Sequence, residues 1–161
     1  MIYFFIIDNS SNDSLREFAS LSDKIVYIHS DNLGFGSGHN IAIRRSIELG
    51  AQYHAVINPD IYWEGDVAKL LAGFMDKQED CGLVMPKVLY PNGDIQYLCK
   101  LLPTPMDLFG RRFIPFKAYQ EKHDAWFELH RTGYAKVMEI PSLSGCFYVY
   151  AGGDVEASGR L

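Results

Sequence analysis

DKIVYIHSDNLGFGSGHNIAIRRSIELGAQYHAVINPD, residues 23–60, decides the fold. A short β-rich run, KIVYIH, leads into a loop with glycines at 34, 36 and 38. Apolar residues then repeat at helical spacing (Ile41, Ala42, Ile43, Ile47, Leu49) until Gly50 takes a C′ position. A second β-branched run, AVI, is stopped by Pro59. Strand, helix and strand joined this closely make a crossover, and a crossover makes the two strands parallel. Pro59 fixes its own φ and disfavours helical angles at Asn58, so Asp60 is presented at the carboxyl end of the strand in one direction. Ligands of open α/β sheets bind at that edge. A metal ion is therefore expected at Asp60. The plainer alternative is that Asn58 and Asp60 build a turn and cap the following helix.

On the amino-terminal side, IYFFIID is an uninterrupted apolar run of strand length, read as a buried strand ending on Asp8. The cluster SSND then introduces a short amphipathic helix over Asp13–Leu21, with Leu15, Phe18, Ala19 and Leu21 near helical spacing. On the carboxyl-terminal side, a helix is expected over Asp66–Lys77, with Val67, Leu70, Leu71 and Phe74 on one face. GLVMPKVLY follows as a strand whose Pro86 marks an edge or a bulge, and PNGD turns it into DIQYLC. Leu101 to Arg131 shows no clean period, and one helix around Ala118 to Leu129 is expected there. KVMEIPSLSGCFYVY returns to strand character before a small, polar tail. The pattern predicts an α/β fold: one Rossmann-like domain over 1–161 with a mixed, mostly parallel sheet. Residues 1–80 carry the alternating strands and helices, and 81–161 the later antiparallel hairpins.

A chain of 161 residues with 48% hydrophobic content supports one domain with a real core. Its net charge of −5 argues against a nucleic-acid partner, whose phosphates require a basic face. Cys81, Cys99 and Cys146 are widely spaced and read as buried thiols of a cytosolic protein. MIYFFII is too short to span a membrane and lacks the basic flank of a signal peptide. His29, His39, His54, His123 and His130 have no metal-ligand spacing, so surface or loop positions are expected. Trp63 and Trp126 are expected in a core or interface, with sugar stacking as the alternative, and Arg111-Arg112 as a solvated pair, with an anionic lipid or phosphate as the alternative.

Three loops now fall after three strands: Asp8-Asn9, the glycine loop and Asn58-Pro59-Asp60. They should line one edge. Glycines 34, 36 and 38 leave backbone N–H groups free to meet an anion at the start of a helix expected near Asn40. An acidic loop beside a diphosphate needs a cation, and Mg²⁺ or Mn²⁺ commonly bridges a carboxylate to substrate phosphates. A dinucleotide fingerprint is the weaker alternative, because G-x-G-x-G runs into His39 and no acidic residue ends the next strand in the usual way. Plain glycine turns are another.

IIDNSSNDS, then DNLGFGSGHNIAIRRSIELGAQYHAVINPD, then GLVMPKVLYPNGDIQ, in that order over most of residues 2–112, resemble the family 2 glycosyltransferases of the GT-A fold, in particular the rhamnosyltransferase-like enzymes of bacterial surface polysaccharides. The resemblance implies inverting transfer of a sugar, rhamnose among the candidates, from a nucleotide-diphosphate donor to a surface-polysaccharide or lipid-linked glycan acceptor. It implies a cytoplasmic location, peripheral to the inner membrane, without a transmembrane segment. Asp8, with Asn9, would contact the base, and Asn32, Gly34, Phe35, Gly38 and Asn40 the nucleoside and diphosphate. Asn58 and Asp60 would flank a divalent Mg or Mn ion, with Asp60 its ligand.

FYVYAGGDVEASGRL resembles the family's later F-F-x-Y-x-E-D-V-D-L-S-x-R-I stretch, which would make Asp154 the general base and Glu156 its neighbour. A solvated tail is the alternative. The family's first strand, its R-R-x-x-F helix, its G-G-F-D-E turn and its C-terminal helices have no counterpart in this sequence. A second reading stays open beside the enzyme: a non-catalytic remnant whose exposed sheet edge pairs with another copy or a partner.

Overall fold

A computed structural model describes residues 1–32, 34–104, 117–143 and 145–152. In chain order its elements are β1 (Phe4–Asp8), a 3-10 helix (Ser14–Leu21), β2 (Ile25–His29), α1 (Phe35–Glu48), β3 (Tyr53–Ile57), α2 (Val67–Met75), β4 (Leu83–Val84), β5 (Cys99–Lys100), α3 (Lys117–Phe127), a 3-10 turn (His130–Thr132), β6 (Ser142–Leu143) and β7 (Phe147–Ala151). The chain is mixed α/β. It divides into two interleaved compact units, Met1–Val56 with Ala68–Val84 and the stretch from Val149, and Ile57–Val67 with Met85–Tyr148.

In the first unit β1 and β2 run parallel, in register from Phe4 opposite Ile25 to Asp8 opposite His29. The segment joining them is a 3-10 helix, not an α-helix. Leu15, Phe18 and Leu21 are spaced three apart, which aligns them along a helix of three residues per turn. β3, β7 and β4 form a second sheet in that order, β4 antiparallel to β7. β7 also runs antiparallel to β3, since Asn58 N–H bonds Cys146 O at 2.8 Å and Gly152 N–H bonds Gln52 O at 2.7 Å at the opposite end. Among the described residues the strands thus fall into three hydrogen-bonded groups, the third being the antiparallel pair β5–β6 of the second unit.

α1 ends as its sequence predicts. Gly50 holds φ 64°, its N–H bonds Ile47 O, and Ala51 N–H reaches back to Ser46 O, the two bonds of a Schellman cap. Its start differs from the expectation: the helix begins at Phe35, so Gly36 and Gly38 lie inside its first turn. The PNGD turn forms as read, with Leu89 bridged to Ile95, Tyr90 N–H bonded to Asp94 O at 2.8 Å and Gly93 at φ 88°. Strand character before it is confined to Leu83–Val84, two residues short of Pro86, which has no N–H to continue a ladder.

The first unit buries Ala42, Ile43 and Ser46 of α1, His54 and Val56 of β3, Met75, Val149 and Asp8. The second buries Cys99, Tyr134 and Phe147. The opening run is not the buried strand its composition predicts: Met1, Ile2 and Phe4 are 98%, 64% and 57% exposed. Hydrophobicity makes burial favourable but supplies no neighbour, and among the described strands β1 is hydrogen-bonded only to β2. No described helix is long and apolar enough to cross a membrane.

Candidate functional site

Asp8 closes β1 and is 3% exposed. Its Oδ1 accepts the N–H of Ser10 at 3.0 Å, and its Oδ2 accepts the hydroxyl of Tyr27, on β2, at 2.9 Å. Hydrogen bonds from Ser10 hold the carboxyl below its usual range, assisted by Tyr27 and by nearby His29 against the cost of burial. Arg16 lies over the Tyr27 ring, 5.5 Å from its centroid. Asp8 is thus an anchored carboxylate whose two oxygens are each already engaged.

The neighbouring side chain is not engaged. Asn9 Oδ1 is buried and has no hydrogen-bond partner among the described residues. The Asn9 amide lies against the first turn of α1, where a Cβ on Gly38 would come within 2.9 Å of Asn9 Nδ2 and 3.6 Å of Ile7 Cγ2. Glycine at 38 lets the helix settle on the loop after β1, which also explains why helix extends back through a glycine-rich stretch of low propensity.

Gly34 stands at the N-cap with φ 97° and no side-chain cap. Asn32 Oδ1 accepts Gly34 N–H at 3.3 Å, and the first helical bond runs from Gly38 N–H to Gly34 O at 3.3 Å. The amides of residues 35–37 therefore precede the helical ladder and, with the helix dipole, favour an anion. Asn40 and half-buried His39 follow in the helix, and burial lowers the His39 pKa. The glycines act at the helix start, not as a loop ahead of it.

The Asn58-Pro59-Asp60 turn belongs to the second unit. Asn58 N–H is held by Cys146 O, and its carbonyl accepts Ile61 N–H at 3.2 Å. Asp60 is exposed. The cap reading fails here, because α2 begins only at Val67. Neither the Asn58 nor the Asp60 side chain makes a hydrogen bond among the described residues, so the turn is built by backbone. No group of three His, Cys, Asp or Glu that could hold a metal is found among the described residues. A hard cation that keeps its waters and bridges substrate phosphates needs only one or two protein carboxylates, and exposed, uncommitted Asp60 fits that donor set.

Asp154, Glu156 and Arg111-Arg112 lie outside the described residues. The chain approaches Asp154 from Gly152, which packs so closely on the Ala51 carbonyl that no Cβ fits.

Sequence reasoning misplaced His54. It is 7% exposed on β3, bonded through Nδ1 to Ser46 Oγ of α1 at 2.6 Å, and its pKa is lowered to about 4 by burial and then by His39. The missed signal was its place in the strand pattern, on the same face as Val56. His130 is half-buried and stacked on Tyr97, not a free surface residue. Trp63 packs beside Phe147 with centroids 5.6 Å apart, whereas Trp126 is 51% exposed. All three cysteines are free, Cys99 buried and the others half-buried.

No family model matches the chain. Over 93 residues, 56% of its length, it is 33% identical to the low-salt glycan biosynthesis hexosyltransferase Agl10 of Haloferax volcanii. That stretch covers 29% of the relative, so the chain corresponds to under a third of that hexosyltransferase.

Proposed function

We propose that the chain is a glycosyltransferase of the family 2, GT-A type, or the donor-binding part of one. It would transfer a sugar with inversion from a nucleoside-diphosphate donor to a hydroxyl of a glycan or lipid-linked acceptor, rhamnose being one candidate sugar. The observation that carries the reading is the 33% identity to a hexosyltransferase over 93 residues. The buried, unpartnered Asn9 Oδ1 beside the uncapped start of α1 supports it.

Asp8 is spent on Ser10 and Tyr27, so Asn9, whose buried Oδ1 has no partner among the described residues, is the better base contact once its amide turns toward the ligand. The amides of residues 35–37 bind diphosphate oxygens without reorganising. Asp60 would hold Mg²⁺ or Mn²⁺, which when bound supplies positive charge to the departing diphosphate.

Calorimetry with UDP- and dTDP-sugars, with and without Mn²⁺, tests the assignment. Binding that weakens at least tenfold in Asn9→Ala, and that loses its Mn²⁺ dependence in Asp60→Ala, is expected. No binding of either nucleotide in the presence of Mn²⁺ would sink it. The exposed apolar residues at Met1, Ile2 and Phe4 favour one second reading, a partner-binding or self-associating module. Light scattering separates the two: a strictly monomeric species that binds nucleotide counts against the module.

A further inference from the structure

The loop between β3 and α2, residues 58–66, lies wholly in the second unit and is pinned to the chain entering β7. Asn58 N–H bonds Cys146 O at 2.8 Å, and Ile61 N–H returns to Asn58 O. Trp63 then packs beside Phe147, the residue after Cys146, which is 2% exposed. Asp60 stands at the bend between these two ties. Burial pushes the Cys146 thiol up and the charge of nearby Asp60 adds to the rise, so the carboxylate lies close to the same dipeptide. A loop held at two points against a buried residue presents its remaining side chains on a firm base.

What the loop presents is aromatic and acidic. Trp63 keeps 39% of its surface open, and Tyr62 is 83% exposed, its hydroxyl reaching Glu64 Oε1 at 3.4 Å. Adjacent aromatic rings left in water mark a contact surface more often than single apolar residues do. Residues 60–66, DIYWEGD, carry three carboxylates and no Lys, Arg or His. The chemistry that matches this combination is a neutral sugar ring. One face of a pyranose is a layer of C–H bonds that settles on the electron-rich face of an indole or phenol, and its rim of hydroxyls donates to carboxylates, which only accept. An apolar protein surface would strip water from the carboxylates without replacing it, and a uronic acid or phosphate would meet like charge.

We propose that Tyr62 and Trp63 form a stacking platform for a neutral pyranose of the acceptor glycan, with Glu64 and Asp66 accepting hydrogen bonds from its hydroxyls. This rests on the glycosyl-transfer reading above, in which Asp60 holds the cation. Transfer joins the acceptor hydroxyl to the carbon that leaves the diphosphate, so the acceptor ring and Asp60 share one neighbourhood. Tyr62 and Trp63, two and three residues past Asp60 on the same pinned loop, lie in it. An open surface also suits a ring at the end of a longer glycan, whose remainder stays in water. The platform moves no proton and breaks no bond. It holds the acceptor in place and selects against anionic sugars.

Fluorescence and calorimetry on the full chain test this. Trp126→Phe leaves Trp63 as the one indole. In that variant, titration with methyl α-glucoside, methyl α-mannoside or methyl α-rhamnoside should shift the emission to the blue and saturate for at least one of them, while methyl α-glucuronoside leaves it unmoved. Calorimetric affinity for the responding glycoside should fall about tenfold in Trp63→Ala and about threefold in Tyr62→Ala, and should hold in Trp126→Ala. Denaturant melts establish that each variant is folded, and exposed Tyr62 carries the test if Trp63→Ala is not. Unchanged glycoside affinity in folded Tyr62→Ala and Trp63→Phe→free comparisons aside, a Trp63 that is only structural would lower the unfolding midpoint and leave the affinity of Tyr62→Ala intact, which overturns the platform. So would the absence of saturation by all three glycosides, or equal binding of the glucuronoside. A response to UDP-glucose alone would assign the ring to the donor and overturn the acceptor role. If a glycoside binds and UDP with Mn²⁺ does not, the transfer reading fails and the acceptor role falls with it. If UDP binds and no glycoside does, the platform alone fails.

Discussion

β1 and β3 follow the same sequence grammar, an apolar run closed by an acidic loop, and they are buried in opposite senses. β1 is exposed at its start and buried at its end, where Asp8 is locked by Ser10 and Tyr27. β3 is buried along its inner face at His54 and Val56 and leads through Asn58-Pro59 to exposed Asp60, which makes no side-chain hydrogen bond among the described residues. The first carboxylate is a structural anchor, and the second is exposed and uncommitted. A loop aspartate is therefore a ligand candidate only once its own hydrogen bonds have been counted.

The largest test of this contrast is acid. His54 is held near 4 against an ordinary value of 6.5, so the unfolded chain binds its proton first as pH falls. The stability of neutral buried His54 is fully present above pH 6.5 and is lost as pH drops toward 4, by about 3 kcal/mol over the window. Asp8, lowered from 3.8, loses its contribution only at lower pH still, as pH falls from its unfolded toward its folded value. Urea titrations between pH 7 and 3 should show two acid limbs, the upper one abolished in His54→Phe. A single limb below pH 4 in the parent would break the assignment of His54 to the interior of the first unit.

Gly38→Val sharpens the β1 side. Its Cβ would meet the Asn9 amide at 2.9 Å, so α1 must withdraw or Asn9 must turn. A loss of about 2 kcal/mol is expected, together with the nucleotide affinity assigned to Asn9 and the helix start. Ser46→Ala acts under β3 instead, removing the partner of His54 Nδ1, and should cost about 1 kcal/mol with nucleotide affinity unchanged. Calorimetry beside denaturant melts reads both. If Gly38→Val lowers stability alone, the loop after β1 is packing and not a site.

Much of this was legible in the chain. The Schellman end of α1 at Gly50, the PNGD hairpin and the break at Pro59 are local chemistry, decided by residues a few positions apart. What escaped is decided by distant partners. The start of α1 depends on Gly38 fitting against Asn9, 29 positions away, so the glycines alone placed it too late. The exposure of Met1 to Phe4 depends on what packs beside β1, which no periodicity encodes. The engagement of Asp8 required Tyr27, on the adjacent strand. At the Asn-Pro-Asp turn the sequence placed Asp60 correctly at the end of a strand, but its freedom followed only from α2 starting at Val67.

The smallest expected change in stability is the most informative about function. Asp60→Ala removes an exposed side chain that supports no described hydrogen bond, so the unfolding free energy should stay within about 0.5 kcal/mol of the parent. Asp8→Ala, by contrast, strands the Tyr27 hydroxyl and the Ser10 amide and should lower it visibly. Nucleotide affinity should respond in the reverse pattern: Mn²⁺-dependent binding of UDP disappears in Asp60→Ala, while metal-free binding persists. A stable Asp60→Ala protein that keeps its Mn²⁺ dependence would move the cation elsewhere, and an unstable one would show that the turn after β3 is as much an anchor as the end of β1.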